Sequence, residues 1–136
     1  MNEVYVTTHK QEELIRFLEL NSFEVDDLGA GIFKIVRDNE LPVFMRVDAN
    51  TIYFEVDLGD ISGLDDKKIY FKLLDMNTEI LPVSFGINNT NPADPRLVLV
   101  ESRVTGDLNN HELLSVFDAL ELAVDRAEAL LADYIK

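Results

Sequence analysis

The sequence predicts an α+β fold: a mainly antiparallel five-stranded sheet packed with helices, in the order α-β-β-β-α-β-β-α. Three observations predict it. Asn109–Lys136 keeps a helical apolar period to the end of the chain. Leu41–Asp48 and Thr51–Leu58 alternate on either side of Ala49-Asn50, as the arms of a hairpin do. Pro82–Asn88 and Leu97–Val104 flank Asn88–Pro95, a run of turn-forming residues. At 136 residues, a single domain spanning 1–136 is expected.

Each element has a local reason. Val4–Val6 reads as an extended lead-in. Thr8 with Gln11 has the spacing of a capping box, and Leu14, Ile15, Phe17 and Leu18 form the stripe of a first helix that stops at Asn21-Ser22. Phe23–Gly31 has no decisive period. Asp26 and Asp27 precede Gly29 and Gly31, which bracket a turn, and Ile32–Val36 is the first expected strand. In the hairpin, a two-residue turn at Ala49-Asn50 pairs Asp48 with Thr51. Val47 then faces Ile52, Met45 faces Phe54 and Val43 faces Val56, while Arg46–Tyr53 and Phe44–Glu55 fall on the other side. A one-residue slip would break that coincidence of apolar sets.

Gly59–Gly63 is a turn, and Ser62 with Asp65 signals a second helix over Asp65–Met76. Ile69, Leu73 and Met76 share one face, Tyr70 and Leu74 lie beside it, and Phe71 sits almost opposite. Pro82–Asn88 places Val83, Phe85 and Ile87 inward and Ser84 and Gly86 outward. Leu97–Val104 is apolar on both faces, as an interior strand is, and Gly106 ends it. In the last helix Asn109 is the N-cap, Glu112 completes a capping box, and Leu108 with Leu113 has the spacing of a hydrophobic staple. Leu113, Phe117, Leu120, Val124, Ala127 and Leu131 form its inner face, widened by Val116, Ala123, Leu130 and Tyr134. Asp118, Glu121, Asp125 and Glu128 form an acidic stripe on another.

Composition narrows the function. Twenty-six acidic against twelve basic residues give a net charge of −14, which disfavours nucleic acid and anionic lipid as partners and makes any partner binding sensitive to salt. There is no cysteine, hence no disulfide, thiolate metal site or thiol nucleophile. No apolar run is long enough to span a membrane. The start MNEVYVTTHK lacks the features of a signal peptide, so a cytoplasmic location is expected.

Catalytic patterns are missing. His9 and His111 fall in first helical turns without a second ligand at i+3 or i+4. Asp57, Asp60, Asp65 and Asp66 lack the spacing of an EF-hand loop. No serine (Ser22, Ser62, Ser84, Ser102, Ser115) lies in a nucleophile elbow, and Gly29–Gly31 precedes a strand rather than opening a helix. No catalytic, cofactor or metal residue is assigned. What the expected fold leaves uncovered is apolar: Phe44, Phe71, Leu114 and Leu122, with parts of Tyr70 and Leu74. Apolar groups in an acidic surround suit protein contact. A homodimer interface along the second helix is the expected use of Phe71.

The element order, the acidity and the closing amphipathic helix resemble the type III secretion chaperones of the Tir-chaperone type. That resemblance spans the chain and implies a small, cytoplasmic, commonly dimeric protein-binding fold. Within Ile69–Lys136, Leu74, Leu81-Pro82, Ser84 and Gly86-Ile87 are similar to an uncharacterised bacterial cytoplasmic family of the YjfI type. In enterobacteria the gene of that family lies beside one for a phage-shock-protein-A-like protein, which implies such a protein as a partner. The family carries no established activity and assigns no catalytic residue. The expectation is therefore a non-enzymatic cytoplasmic module, chaperone-like or regulatory, that binds another protein. The competing reading is a metal-dependent binder or enzyme using the acidic Asp57–Asp66 loop, which a thermal-shift screen with divalent ions would reveal.

Overall fold

Alternation along the strands decides which side of the sheet meets the helices. A computed structural model describes residues 11–105 and 108–134. The elements are α1 (Gln11–Leu20), β1 (Glu24–Gly29), β2 (Ile32–Val36), β3 (Val43–Val47), β4 (Thr51–Asp60), α2 (Lys67–Met76), β5 (Ser84–Asn88), β6 (Arg96–Val104) and α3 (Asn110–Leu131). The expectations for Val4–Val6, Thr8, His9 and Gly106 lie outside the described residues.

The sheet has six strands in the order β1-β2-β3-β4-β6-β5, not five, and every neighbouring pair is antiparallel. The added strand is β1, within the stretch that lacked a period. It is an acidic edge strand, exposed along most of its length, so no buried face imposes alternation on it. Its charges also guard a free sheet edge. Pairing with β2 runs through a tight turn whose central residues, Ala30 (φ 56°) and Gly31 (φ 77°), are both left-handed. That mirror-image turn matches the twist of a hairpin.

Gly31 has a second reason to be glycine: a Cβ there would lie 2.9 Å from the Val47 carbonyl oxygen, while the Gly31 carbonyl accepts from Val47 N–H at 2.9 Å. Gly31→Ala should therefore destabilise the protein by about 2 kcal/mol, read as a lowered urea midpoint at unchanged m value. Ala30→Gly, which removes a Cβ from a left-handed residue, should lower the midpoint little or not at all.

The β3–β4 register is the expected one: Val47↔Ile52, Arg46↔Tyr53, Met45↔Phe54 and Phe44↔Glu55, with Asp48 N–H donating to the Thr51 carbonyl at 2.9 Å. Across the sheet, Phe33, Met45, Phe54 and Glu101 share a row on one face. All three helices cover that face. Leu14, Phe17 and Leu18 of α1, Ile69 and Leu73 of α2, and the inner face of α3 join one core with it. Phe117 lies at its centre, 4.7 Å from the Phe23 ring and edge-on to Phe54 at 5.7 Å.

Local details differ from expectation in two places. The N-cap of α2 is Asp66, whose side chain accepts from Lys68 N–H, so the helix starts at Lys67. Ser62 is instead bound to the Asp60 carboxylate through its N–H and hydroxyl, which makes it part of the turn. Ile87 shares the side of Phe85 but is 55% exposed, because β5 is an edge strand and the core ends before it. By contrast β6 is the interior strand its two apolar faces implied, flanked by β4 and β5. Asn109 caps α3 by accepting from Glu112 N–H at 2.9 Å, with Leu108 and Leu113 buried beside it. Among the described residues no helix is long and apolar enough to cross a membrane.

Candidate protein-contact site

The helical period of α2 buries Ile69 and Leu73 and leaves Phe71 (72% exposed) and Leu74 (68%) on the outer side. Lys67, Lys68 and Lys72 surround them, also exposed. The chain then turns through Leu81 (70% exposed) into β5, where Ile87 is uncovered. Exposed large apolar side chains are thus concentrated between Phe71 and Ile87. Leu122 of α3 meets this stretch. Together with Ile80, Leu81, Ala119 and Ala123 it lines a groove of about 290 Å³, closed at its rim by an Arg126–Glu79 ion pair at 3.0 Å.

The other expected contact residues lie elsewhere. Leu114 is half-buried against the core and so has an intramolecular home. Tyr70 also packs on the core, and its hydroxyl donates to the Leu64 carbonyl. Phe44 is half-buried on the face of the sheet opposite the helices. Of the six candidates, Phe71, Leu74 and Leu122 are therefore brought to the exposed side of the helical layer. Leu81, which lines the groove with Leu122, and Ile87 are exposed as well; sequence reasoning assigned Leu81 no contact role and placed Ile87 inward by alternation. The one available signal was that Ile87 stands next to the end of its strand.

The acidic stripe is divided as well. Arg37, at the end of β2, lies over the Phe23 ring at 4.7 Å. It bonds Asp118 through Nη2 and Glu121 through Nε, both at 2.9 Å. Burial works to lower the Arg37 pKa, but the bonds and charges of Asp118 and Glu121 outweigh it and hold the pKa above its usual value. Asp125 and Glu128 are exposed. Desolvation and the charges of Glu121, Asp125 and Glu128 raise the pKa of nearby Glu40. The stripe is thus half a clamp between sheet and helix and half a negative surface.

Three of the acids of Asp57–Asp66 have local duties. Asp57 accepts from Arg96 Nε and from Gly59 N–H, Asp60 holds Ser62, and Asp66 caps α2. His111 is exposed in the first turn of α3.

The helix-free face of the sheet carries a polar network. Tyr53 Oη donates to Glu55 Oε1 at 2.8 Å and Asn88 Nδ2 donates to Glu55 Oε2 at 3.3 Å. Partial burial, followed by the bond to Glu55 and its charge, pushes the Tyr53 pKa up to about 12.

Known proteins share this architecture. A chain of the heterodimeric complex ExoU-SpcU, from the type III secretion system of Pseudomonas aeruginosa, superposes with a TM-score of 0.66 at 18% identity, covering 85% of this chain and 94% of that one. YbjN from E. coli superposes with a TM-score of 0.58 at 14% identity, covering 88% of this chain and 91% of that one. At such identities the likeness is one of fold. No curated protein matches the sequence. The CesT_Tir_1 family model, however, matches residues 7–136; with its six-stranded sheet under three helices, the protein belongs to the CesT_Tir_1 family and has the secretion-chaperone fold.

Proposed function

We propose that the protein is a non-enzymatic, cytoplasmic, chaperone-like or regulatory module, a single domain over 1–136, whose work is to bind other proteins. The observation that carries this reading is the concentration of exposed apolar side chains on α2 and β5, from Phe71 to Ile87. Its family membership supports it. So does the fact that one structural neighbour comes from a heterodimeric complex.

The first occupant of the α2 surface is a second copy of this chain. Burying a side chain the size of Phe71 or Leu74 contributes about 1.5–3 kcal/mol, and a two-fold axis uses each residue twice. The charges suit this: Lys67, Lys68 and Lys72 ring Phe71 in a chain of net charge −14, and Asp125 and Glu128 are open on α3. Phe71→Glu should yield a folded monomer by light scattering at micromolar concentration, where the unaltered protein runs as a dimer. An unaltered protein already monomeric there would end the dimer reading.

The similarity of Ile69–Lys136 to the YjfI type makes a phage-shock-protein-A-like protein the first client to test. Pull-down with the unaltered chain, against Phe71→Glu, Leu74→Glu and Leu122→Glu variants, should lose the client if these residues hold it. Equal recovery by all four would place client binding off this surface.

A further inference from the structure

The helix-free face of the sheet has an apolar layer of its own. Val98 is 2% exposed yet stands apart from the helix-side core. By register it shares the opposite face with Asp57 and Gly86, and the adjoining row holds Phe44, Glu55 and Val100. Phe44 and Val100 are half-buried and likewise outside the core. Gly86 keeps this floor open: a Cβ there would touch only Val98 Cγ2, at 3.6 Å. The resulting trough, of about 540 Å³, runs from Arg46 and Tyr53 past Glu55 to the wall formed by Asn88, Asn89 and Thr90.

Glu55 stands in the middle of this face, half-buried. Tyr53 and Asn88 fix both of its oxygens with neutral donors. Among the described residues no cation forms an ion pair with it: Arg46 pairs with Asp48 at 3.4 Å and lies over the Tyr53 ring at 5.0 Å. A partly desolvated carboxylate, oriented on an apolar floor and lacking a counter-ion, is matched by a cation carried on an apolar stem.

We propose that this face docks a segment of a partner protein rich in apolar residues and bearing a lysine or arginine, the cation meeting Glu55 and the apolar side chains covering Phe44 and Val100, which stand half-exposed beside the buried Val98. The inference rests on the protein-binding reading above and adds the partner's chemistry. The net charge of −14 favours a basic over an acidic segment through long-range attraction. Ile87 of β5 borders this trough, whereas Phe71 and Leu74 of α2 do not, so a dimer through α2 uses different residues.

The test is a residue-resolved NMR titration of the full chain with two synthetic amphipathic peptides, one of leucine and lysine and one of leucine and glutamate. The lysine peptide should shift the amides of Phe44, Glu55, Gly86, Val98 and Val100, and the glutamate peptide should not. Glu55→Gln should weaken the lysine peptide about tenfold, the usual scale of one charge-assisted hydrogen bond, with an unchanged melting temperature. Gly86→Gln, which fills the trough without touching the carboxylate, should weaken both shifts and affinity. Shifts confined to α2 and α3 would overturn this inference while leaving the protein-binding reading intact. Equal affinity of Glu55→Gln, or no shift with either peptide, would overturn it as well; the client pull-down then judges the broader reading independently.

Discussion

Met45→Asp should leave the chain largely unfolded at room temperature. Met45 is 0% exposed and sits in the central row between Phe33 and Phe54, its partners on β2 and β4. A carboxylate there would be buried without a partner. The cost is several kcal/mol, comparable with the roughly 5–15 kcal/mol that holds a domain together. Met45→Leu, which keeps volume and polarity, should cost less than about 1.5 kcal/mol. Circular dichroism melts of the two variants check both statements. A cooperative Met45→Asp melt within a few degrees of the unaltered protein would contradict the burial of this row.

Phe117→Ala should lower stability by about 3–5 kcal/mol, the cost of deleting a buried ring and leaving a cavity. The ring is 2% exposed and ties three elements together, touching Phe23 ahead of β1 and Phe54 of β4 from its place on α3. Its loss should show in urea as a lower midpoint at unchanged slope. Phe71→Ala gives the comparison. It removes the same ring from a residue 72% exposed in one chain, so at concentrations where the protein is monomeric the midpoint should barely move.

Local patterns made much of the fold legible. The β3–β4 hairpin could be registered because its turn is two residues long and a slip would turn Met45 and Phe54 to the wrong face. The start of α3 could be placed because Asn109 caps through an atom three residues away, and the spacing alone reports that bond. β1 was not legible, since an exposed edge strand needs no apolar alternation and Glu24, Asp26 and Asp27 look like loop. The role of Arg37 was not legible either, because Asp118 and Glu121 are far from it in sequence. Glu101 is the clearest case. Its strand reads as apolar, yet a carboxylate 4% exposed lies within the helix-covered row beside Phe54, held at 2.6 Å by Arg103 Nε.

Sequence alone determined the α+β class, the helix and strand periods and the central register, because these follow from spacing within one or two elements. It also set the net charge of −14. Only the tertiary structure decided that three helices share one face and leave the other to Val98, Val100 and Glu55. It likewise decided that Leu114 is covered while Leu81, Ile87 and Leu122 are not. Coverage depends on which elements meet across the chain, and a residue's own neighbours in sequence carry no record of that.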